Sequence, residues 1–303
     1  MKICACTISK NEEEHISKWL ENTKEADSRV VVDTGSTDKT IQLLKKANTI
    51  VIERQFDPFR FDAPRNLAMD YAPIGTDWYI SPDFDEWFSP NWRNKLEETV
   101  EDHSDCNTIS YNIILIRDNQ EQPGLEKGNK IYKATHHWTK PIHEYLECEI
   151  EEYKIYIPEI TLYHKQVEKD RDDFYYQVAK NNLEDNDSWT LWFIVKGSIE
   201  KEIDNDILDY GFRYLELTKS YTNFRSMTMN AISKVFLKQN KFQEALTWAF
   251  RAVSENISNR NAFENLAQIA FKIGNFPLAT FAASNCNQKL FKQSLLRTIS
   301  SLI

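Results

Sequence analysis

The chain opens on Ile3-Cys4-Ala5-Cys6-Thr7-Ile8-Ser9, a run of apolar and small residues that predicts a buried strand over 2–9. Asn11 to Thr23 changes to helical spacing, with Ile16, Trp19 and Leu20 on one side. Arg29 to Asp33 is β-branched at its centre and predicts a second buried strand. Thr34-Gly35-Ser36-Thr37-Asp38 then reads as a turn, Lys39 to Ala47 as a helix, and Thr49 to Arg54 as a third strand. This alternation with tight connections predicts an α/β fold with a doubly wound, mostly parallel sheet. After a loop over 55–62, Ala63 to Tyr71 should be helical, with Pro64 tolerated in its first turn. Further strands are expected at Asp77–Ile80, Asn107–Arg117, Ile131–Lys133 and Ile155–His164, and a helix at Asn91–Glu101.

From about Asp170 the pattern becomes helical throughout, and it repeats. Phe242 and Ala245 align with Phe276 and Ala279 at an offset of 34 residues, and a fainter copy sets Gly211 under Ala245. Small residues at such positions are where paired helices touch. The segment resembles tetratricopeptide repeats, without their late proline. The expected division is an α/β domain over 1–168 and an all-α helical-repeat domain over 169–303, in keeping with a length of 303 residues.

Composition narrows the chemistry. Only seven glycines occur, and they are scattered, which excludes a G-x-G-x-x-G dinucleotide loop and a Walker loop. The formal charge of −9 argues against a broad basic footprint for nucleic acid, though not against a local one. The five cysteines form no C-x-x-C pair, and their odd number speaks against a disulfide framework or a zinc finger. Cys4 and Cys6 sit two apart on a strand and should share one buried face. The apolar start is too short for a signal peptide and runs into Glu12-Glu13-Glu14, and no apolar run is long enough to span a membrane. A reducing cytoplasm is the expected compartment.

Three acidic landmarks follow predicted strands: Asn11-Glu12 after the first, Asp33 at the end of the second, and Asp83-Phe84-Asp85 after the fourth. Open α/β sheets bind ligands at these strand ends. An Asp-x-Asp pair there can hold a hard divalent cation and leave positions open for phosphate oxygens. Alone, such a pair is more often a solvated turn. Zinc-type His/Cys spacing is absent, so a hard-cation site is the better reading.

The order of four motifs is more specific. Thr7-Ile8-Ser9-Lys10-Asn11-Glu12, Val31-Val32-Asp33-Thr34-Gly35-Ser36-Thr37-Asp38-Lys39-Thr40, Pro64-Arg65-Asn66 and Asp83-Phe84-Asp85-Glu86 resemble the spaced signatures of family-two glycosyltransferases with the GT-A fold, over about residues 1–165. Pro64 and Phe84 replace the usual alanines. The resemblance implies a nucleotide-sugar donor, in the first instance a UDP-sugar, a divalent Mn2+ or Mg2+ ion, and inversion at the anomeric carbon. It implies that Asp33 reads the base, that Thr7, Asn11 and Glu12 lie beside the nucleoside, and that Arg65 meets the pyrophosphate. Asp83 would meet ribose or metal waters, and Asp85 would bind the metal. The segment Trp138-Thr139-Lys140-Pro141-Ile142-His143-Glu144 resembles one found in such transferases that carry a helical tail. There Glu144 is the candidate general base, with an ion-pair role as its structural alternative. His143 and Trp138 are placed on the acceptor side, with core packing the alternative for Trp138. His164, ending a strand, is the candidate for completing the metal shell.

The implied acceptor is a hydroxyl of a glycan, a protein or a modified nucleobase, the last disfavoured by the acidity. The helical tail offers a surface for an extended partner or for a homodimer. The competing reading is a non-catalytic helical-repeat interaction protein with a relic transferase domain. That reading predicts lost carboxylates, yet Asp33, Asp83, Asp85 and Glu144 are all present.

Overall fold

The computed structural model describes residues 1–118, 120–124, 126–165, 172–219, 222–286, 293–295 and 297–299. The chain divides into two units, Met1–Asp170 and Arg171–Ile303. The first begins with β1 (Ile3–Ser9), α1 (Ile16–Asn22), β2 (Ser28–Asp33), α2 (Thr40–Lys46), β3 (Ile50–Glu53), α3 (Asp62–Asp70) and β4 (Trp78–Ile80). It continues with β5 (Glu86–Phe88), α4 (Trp92–Asp102), β6 (Thr108–Arg117), β7 (Gln120–Pro123), β8 (Gly128–Lys133), β9 (His136–Thr139), β10 (Tyr145–Cys148) and β11 (Lys154–Lys165). The main sheet has the order β3-β2-β1-β4-β8-β6-β11-β5, with β7 paired to β6. It is parallel across β3-β2-β1-β4 and mixed beyond, because β8 joins β4 and β6 antiparallel and β5 joins β11 antiparallel. β9 and β10 form a separate hairpin in a stretch for which the hydrophobic pattern predicts no strand.

The strand period of two sorts β1 between two cores. Ile3 and Ala5 pack with Trp19 of α1, Leu44 of α2 and Leu96 of α4 on one face. Cys4 and Cys6 pack with Ala68 of α3, Tyr79, Tyr132 and Trp138 on the other. The two thiols share that face, with their sulfurs 3.6 Å apart. Helices cover both faces, which is why β1 and β2 have no polar side until their carboxyl ends. Side chains as enclosed as Ile3 and Leu44 each contribute about 1.5–3 kcal/mol relative to exposure.

The second unit is helical: α5 (Asp172–Asn181), α6 (Ser188–Glu200), α7 (Asp204–Leu217), α8 (Thr222–Lys238), α9 (Phe242–Glu255), α10 (Arg260–Lys272) and α11 (Phe276–Ser284). The repeated small residues lie where helices meet: Ala245 and Ala279 are fully buried, and a Cβ on Gly211 would stand 3.2 Å from Thr228. Trp192 stacks on Phe224 at 4.4 Å, a packing role, while the exposed Trp189 meets Phe193 edge to face. Most of residues 165–173, which carry charges of both signs, lie outside the described residues.

Candidate active site

Because β1, β2 and β4 run parallel as neighbours, their carboxyl ends open on one side. Ser9 and Asp33 face each other in register at that edge. Asp33 is buried, and its own loop takes both its oxygens. Oδ1 accepts from the backbone N–H groups of Gly35 and Ser36 at 3.0 and 2.8 Å, and Oδ2 from the hydroxyls of Ser9 and Ser36. Gly35 adopts φ +115°, a conformation that side chains resist, so the tight turn needs glycine. Asp33 makes these contacts at the strand end where the resemblance has it read a base. Its carboxylate shapes the loop after β2, because a turn rich in N–H and O–H donors closes on the nearest acceptor.

Asn11 locks the neighbouring loop to this one. Its Oδ1 accepts from the Thr37 N–H at 2.8 Å, and its own N–H donates to Ser36 Oγ at 2.8 Å. The Glu12 N–H donates to Thr40 Oγ1 at 2.8 Å, and the Glu12 carboxylate meets His15 at 2.8 Å. Glu13 accepts from the Lys39 N–H at 2.9 Å, so part of the acidic run braces this loop.

A second cluster gathers around the turn between β4 and β5. Thr7, two residues before Ser9 and so on the same side of β1, donates to Asp83 Oδ1 at 3.3 Å. Arg65 of α3 donates from Nη2 to Asp83 Oδ1 at 2.9 Å and from Nε to Glu144 Oε1 at 2.6 Å. Lys130 of β8 donates to Asp83 Oδ2 at 2.8 Å and to Glu86 Oε2 at 2.7 Å. Asp85 Oδ2 lies 3.5 Å from His164 Nε2, both side chains about one-third exposed. His164 faces Glu86 across the β5–β11 register. Lys130 and Glu86 complete the cluster, and neither is singled out by the sequence motifs as a site residue. The available signal was the period-two pairing of Lys130 with Tyr132 on the inner face of a strand.

Charge accounts for the ionisation states here. Burial disfavours the Asp83 carboxylate, but Arg65 and then Lys130 outweigh it and hold Asp83 well below the usual carboxylate range. Burial also lowers Arg65 and Lys130, and the facing carboxylates more than reverse this, so both stay cationic. The hydrogen bond to Asp85 raises His164, and burial only partly opposes it. Arg65 is almost enclosed and its Nη1 has no partner among the described residues, a donor still to be satisfied.

Trp138 lies in the core. It is 4% exposed, Arg65 stands over its ring at 4.7 Å, and its indole N–H donates to the Tyr132 hydroxyl at 3.1 Å. Asn66 clasps its backbone from both sides, accepting from the Trp138 N–H at 2.7 Å and donating to the Trp138 carbonyl at 2.8 Å. The packing alternative is thus the one this ring adopts, since it is buried under Arg65 and its polar edge is used internally. His143 is exposed, in a loop where Lys140 and His143 have φ of +81° and +47° while Ile142 is buried. Such conformations cost about 1–3 kcal/mol and gather at ligand-contacting loops.

Arg65 and Lys130 therefore face three carboxylates, Asp83, Glu86 and Glu144, while Asp85 faces His164. Among the described residues, no three His, Cys, Asp or Glu side chains form a ready metal cage. Asp85 and His164 nevertheless offer a carboxylate and an imidazole to one half-open position, a donor pair that suits Mn2+ or Mg2+ with the remaining shell supplied by ligand and water.

A parallel β3-β2-β1-β4 half with acidic strand ends, extended by antiparallel strands, is a GT-A-type architecture. Residues 4–172 match the model of Glycosyl transferase family 2, and the chain belongs to that family. Among solved structures it is similar to S. aureus TarS, at 13% identity and a TM-score of 0.46, over 77% of this chain and 53% of that one. It is also similar to S. aureus TarS 1–349, at 15% identity and a TM-score of 0.47, over 90% and 92% of the two chains. A third likeness, at 17% identity and a TM-score of 0.34, is to MamA, over 38% of this chain and 61% of that one. The chain thus spans about half the length of the first of these structures. No curated protein matches it. No helix among the described residues is long and apolar enough to cross a membrane.

Proposed function

We propose that the domain over 1–168 transfers a sugar from a nucleotide-sugar, in the first instance a UDP-sugar, to an acceptor hydroxyl with inversion. The observation that carries this reading is the excess of carboxylates at the strand ends, beside one arginine with an unsatisfied N–H. A relic domain has no reason to keep an under-neutralised cluster, because charges removed from water are costly unless something offsets them. The loops tied by Asp33, Asn11 and Glu12 frame the nucleoside, with Thr7 linking them to Asp83. Arg65 meets the diphosphate. Asp85 and His164 hold the divalent ion, which when bound stabilises negative charge on the leaving diphosphate.

In the transfer, the acceptor oxygen forms a bond to the anomeric carbon as the bond to the diphosphate breaks, and the acceptor proton passes to Glu144. The Arg65 pair holds Glu144 in place in the resting site. A diphosphate drawing Arg65 away would release the carboxylate as the donor arrives. His143, exposed on its strained loop, contacts the acceptor. The acceptor is a glycan or another hydroxyl-bearing molecule, and the helical unit supplies a surface for it or for a second copy of the chain.

Donor hydrolysis with Mn2+ or Mg2+ across a panel of nucleotide-sugars tests the reading. Release of nucleoside diphosphate that chelator abolishes is expected. Absence of both turnover and binding for every donor would overturn it.

A further inference from the structure

The acidic cluster already contains a tethered cation. Lys130 Nζ lies between Asp83 Oδ2 and Glu86 Oε2, at 2.8 and 2.7 Å. Glu86 Oε2 also accepts from the Asp83 N–H at 2.9 Å, so one glutamate holds both the lysine and the Asp-x-Asp turn. The lysine is braced from behind. Its N–H donates to the buried Tyr111 hydroxyl at 2.9 Å, and its carbonyl accepts from the Ser81 N–H at 3.0 Å. Arg65 occupies the other oxygen of Asp83. Among the described residues Asp85 pairs with His164 and with no lysine or arginine.

We propose that Lys130 is a positioning residue whose ammonium fills the cation position between Asp83 and Glu86, withholding Asp83 and leaving the divalent ion to Asp85 and His164. This rests on the metal reading above. An ammonium is a compact point charge, and on a braced strand it cannot diffuse away as a metal can. Its charge also repels a second cation at short range. The two carboxylates of the motif are thereby given different work: Asp83 anchors Arg65 and Lys130, and Asp85 remains open.

Mn2+ titration of the full chain without donor, followed by electron paramagnetic resonance of the free ion, separates these roles. Asp85→Asn should weaken binding by about tenfold or more, whereas Asp83→Asn should leave it close to wild type. Lys130→Met keeps the linear stem and removes the charge. It should tighten Mn2+ binding by about tenfold or add a second ion per chain, and adding Asp83→Asn should cancel the gain. Lys130→Arg keeps the charge and should show no gain, which guards against reading a folding defect as an effect. The proposal is overturned if Asp83→Asn alone weakens Mn2+ as much as Asp85→Asn, or if Lys130→Met gains nothing. Unchanged binding in Asp85→Asn alongside a gain in Lys130→Met would instead remove the metal reading while upholding Lys130 as the occupant of the cation position.

Discussion

Glu144 Oε1 and Arg65 Nε are 2.6 Å apart, and both side chains are close to fully buried. A carboxylate oxygen in such a pair is already engaged and is not free to act as a base while the pair holds. On the proposed reading Glu144 is a structural tie that becomes the base once Arg65 is drawn to a diphosphate. The two roles give different results on substitution. Glu144→Gln removes the proton acceptor while keeping shape and a hydrogen-bond acceptor for Arg65. Transfer should fall by about 100-fold or more. Donor binding should stay near wild type, because the donor meets Arg65 and the metal position. Equal losses in donor affinity and transfer, tracking a lowered melting temperature, would leave Glu144 a structural tie only.

Arg65 itself is the reverse case. Arg65→Met leaves Asp83 and Glu144 facing each other without their shared partner in a mostly enclosed site. Removing one member of a buried pair costs about 3–5 kcal/mol. Denaturant unfolding should show that loss in the first unit. Adding Glu144→Gln should recover part of it, since one stranded charge is then gone. No recovery in the double variant would contradict the coupling.

Gly128 tests how far the lysine depends on its brace. A Cβ there would lie 2.1 Å from Tyr111 Cε2, and the Tyr111 hydroxyl accepts from the Lys130 N–H. Gly128→Ala must push the buried ring aside, at a cost of about 1–3 kcal/mol. Both stability and donor binding should therefore fall, and Gly128→Ala combined with Tyr111→Leu should regain stability. An alanine variant as stable as wild type would show that the ring moves freely.

His136 gives the fold a pH dependence. It is buried, with Nε2 2.8 Å from Thr108 Oγ1 and Nδ1 3.2 Å from the Lys133 carbonyl, contacts that a neutral ring satisfies. Burial lowers its pKa below the ordinary 6.5. The unfolded chain therefore binds this proton at a higher pH than the folded one. The stability is present above the ordinary histidine value and is lost as pH falls from there through the folded value. Thermal unfolding at pH 7 and pH 5 should show a drop in wild type that is smaller in His136→Gln, with the difference between the two carrying the histidine's share. Equal drops would assign the acid sensitivity elsewhere.

The parts of this fold that were legible in the sequence are those set by short-range periodicity. The alternation of Ile3, Cys4, Ala5 and Cys6 already contains the two faces of β1, and the offset joining Ala245 to Ala279 already marks helix contacts. The hairpin of β9 and β10 was not legible, because His136-His137-Trp138-Thr139 alternates too briefly and carries too much chemistry to look like a strand. The motifs brought Asp83, Arg65 and Glu144 to one site, but not their pairing. Lys130 is 47 residues from Asp83, and nothing local distinguishes an inward lysine on a short strand from an outward one. Asp33 shows the opposite limit. Its motif is plain, while its hydrogen bonds to Gly35 and Ser36 depend on a turn geometry that only the fold displays.

The central claim is a nucleotide-sugar site completed by a divalent ion at Asp85. Calorimetric titration of the full chain with a UDP-sugar, with and without Mn2+, in wild type and Asp85→Asn, tests it most directly. The expected result is donor binding that strengthens by about tenfold or more with Mn2+ in wild type, and a metal effect that disappears in Asp85→Asn. Donor binding of equal strength in all four conditions, or no binding by this or any other nucleotide-sugar, would contradict it.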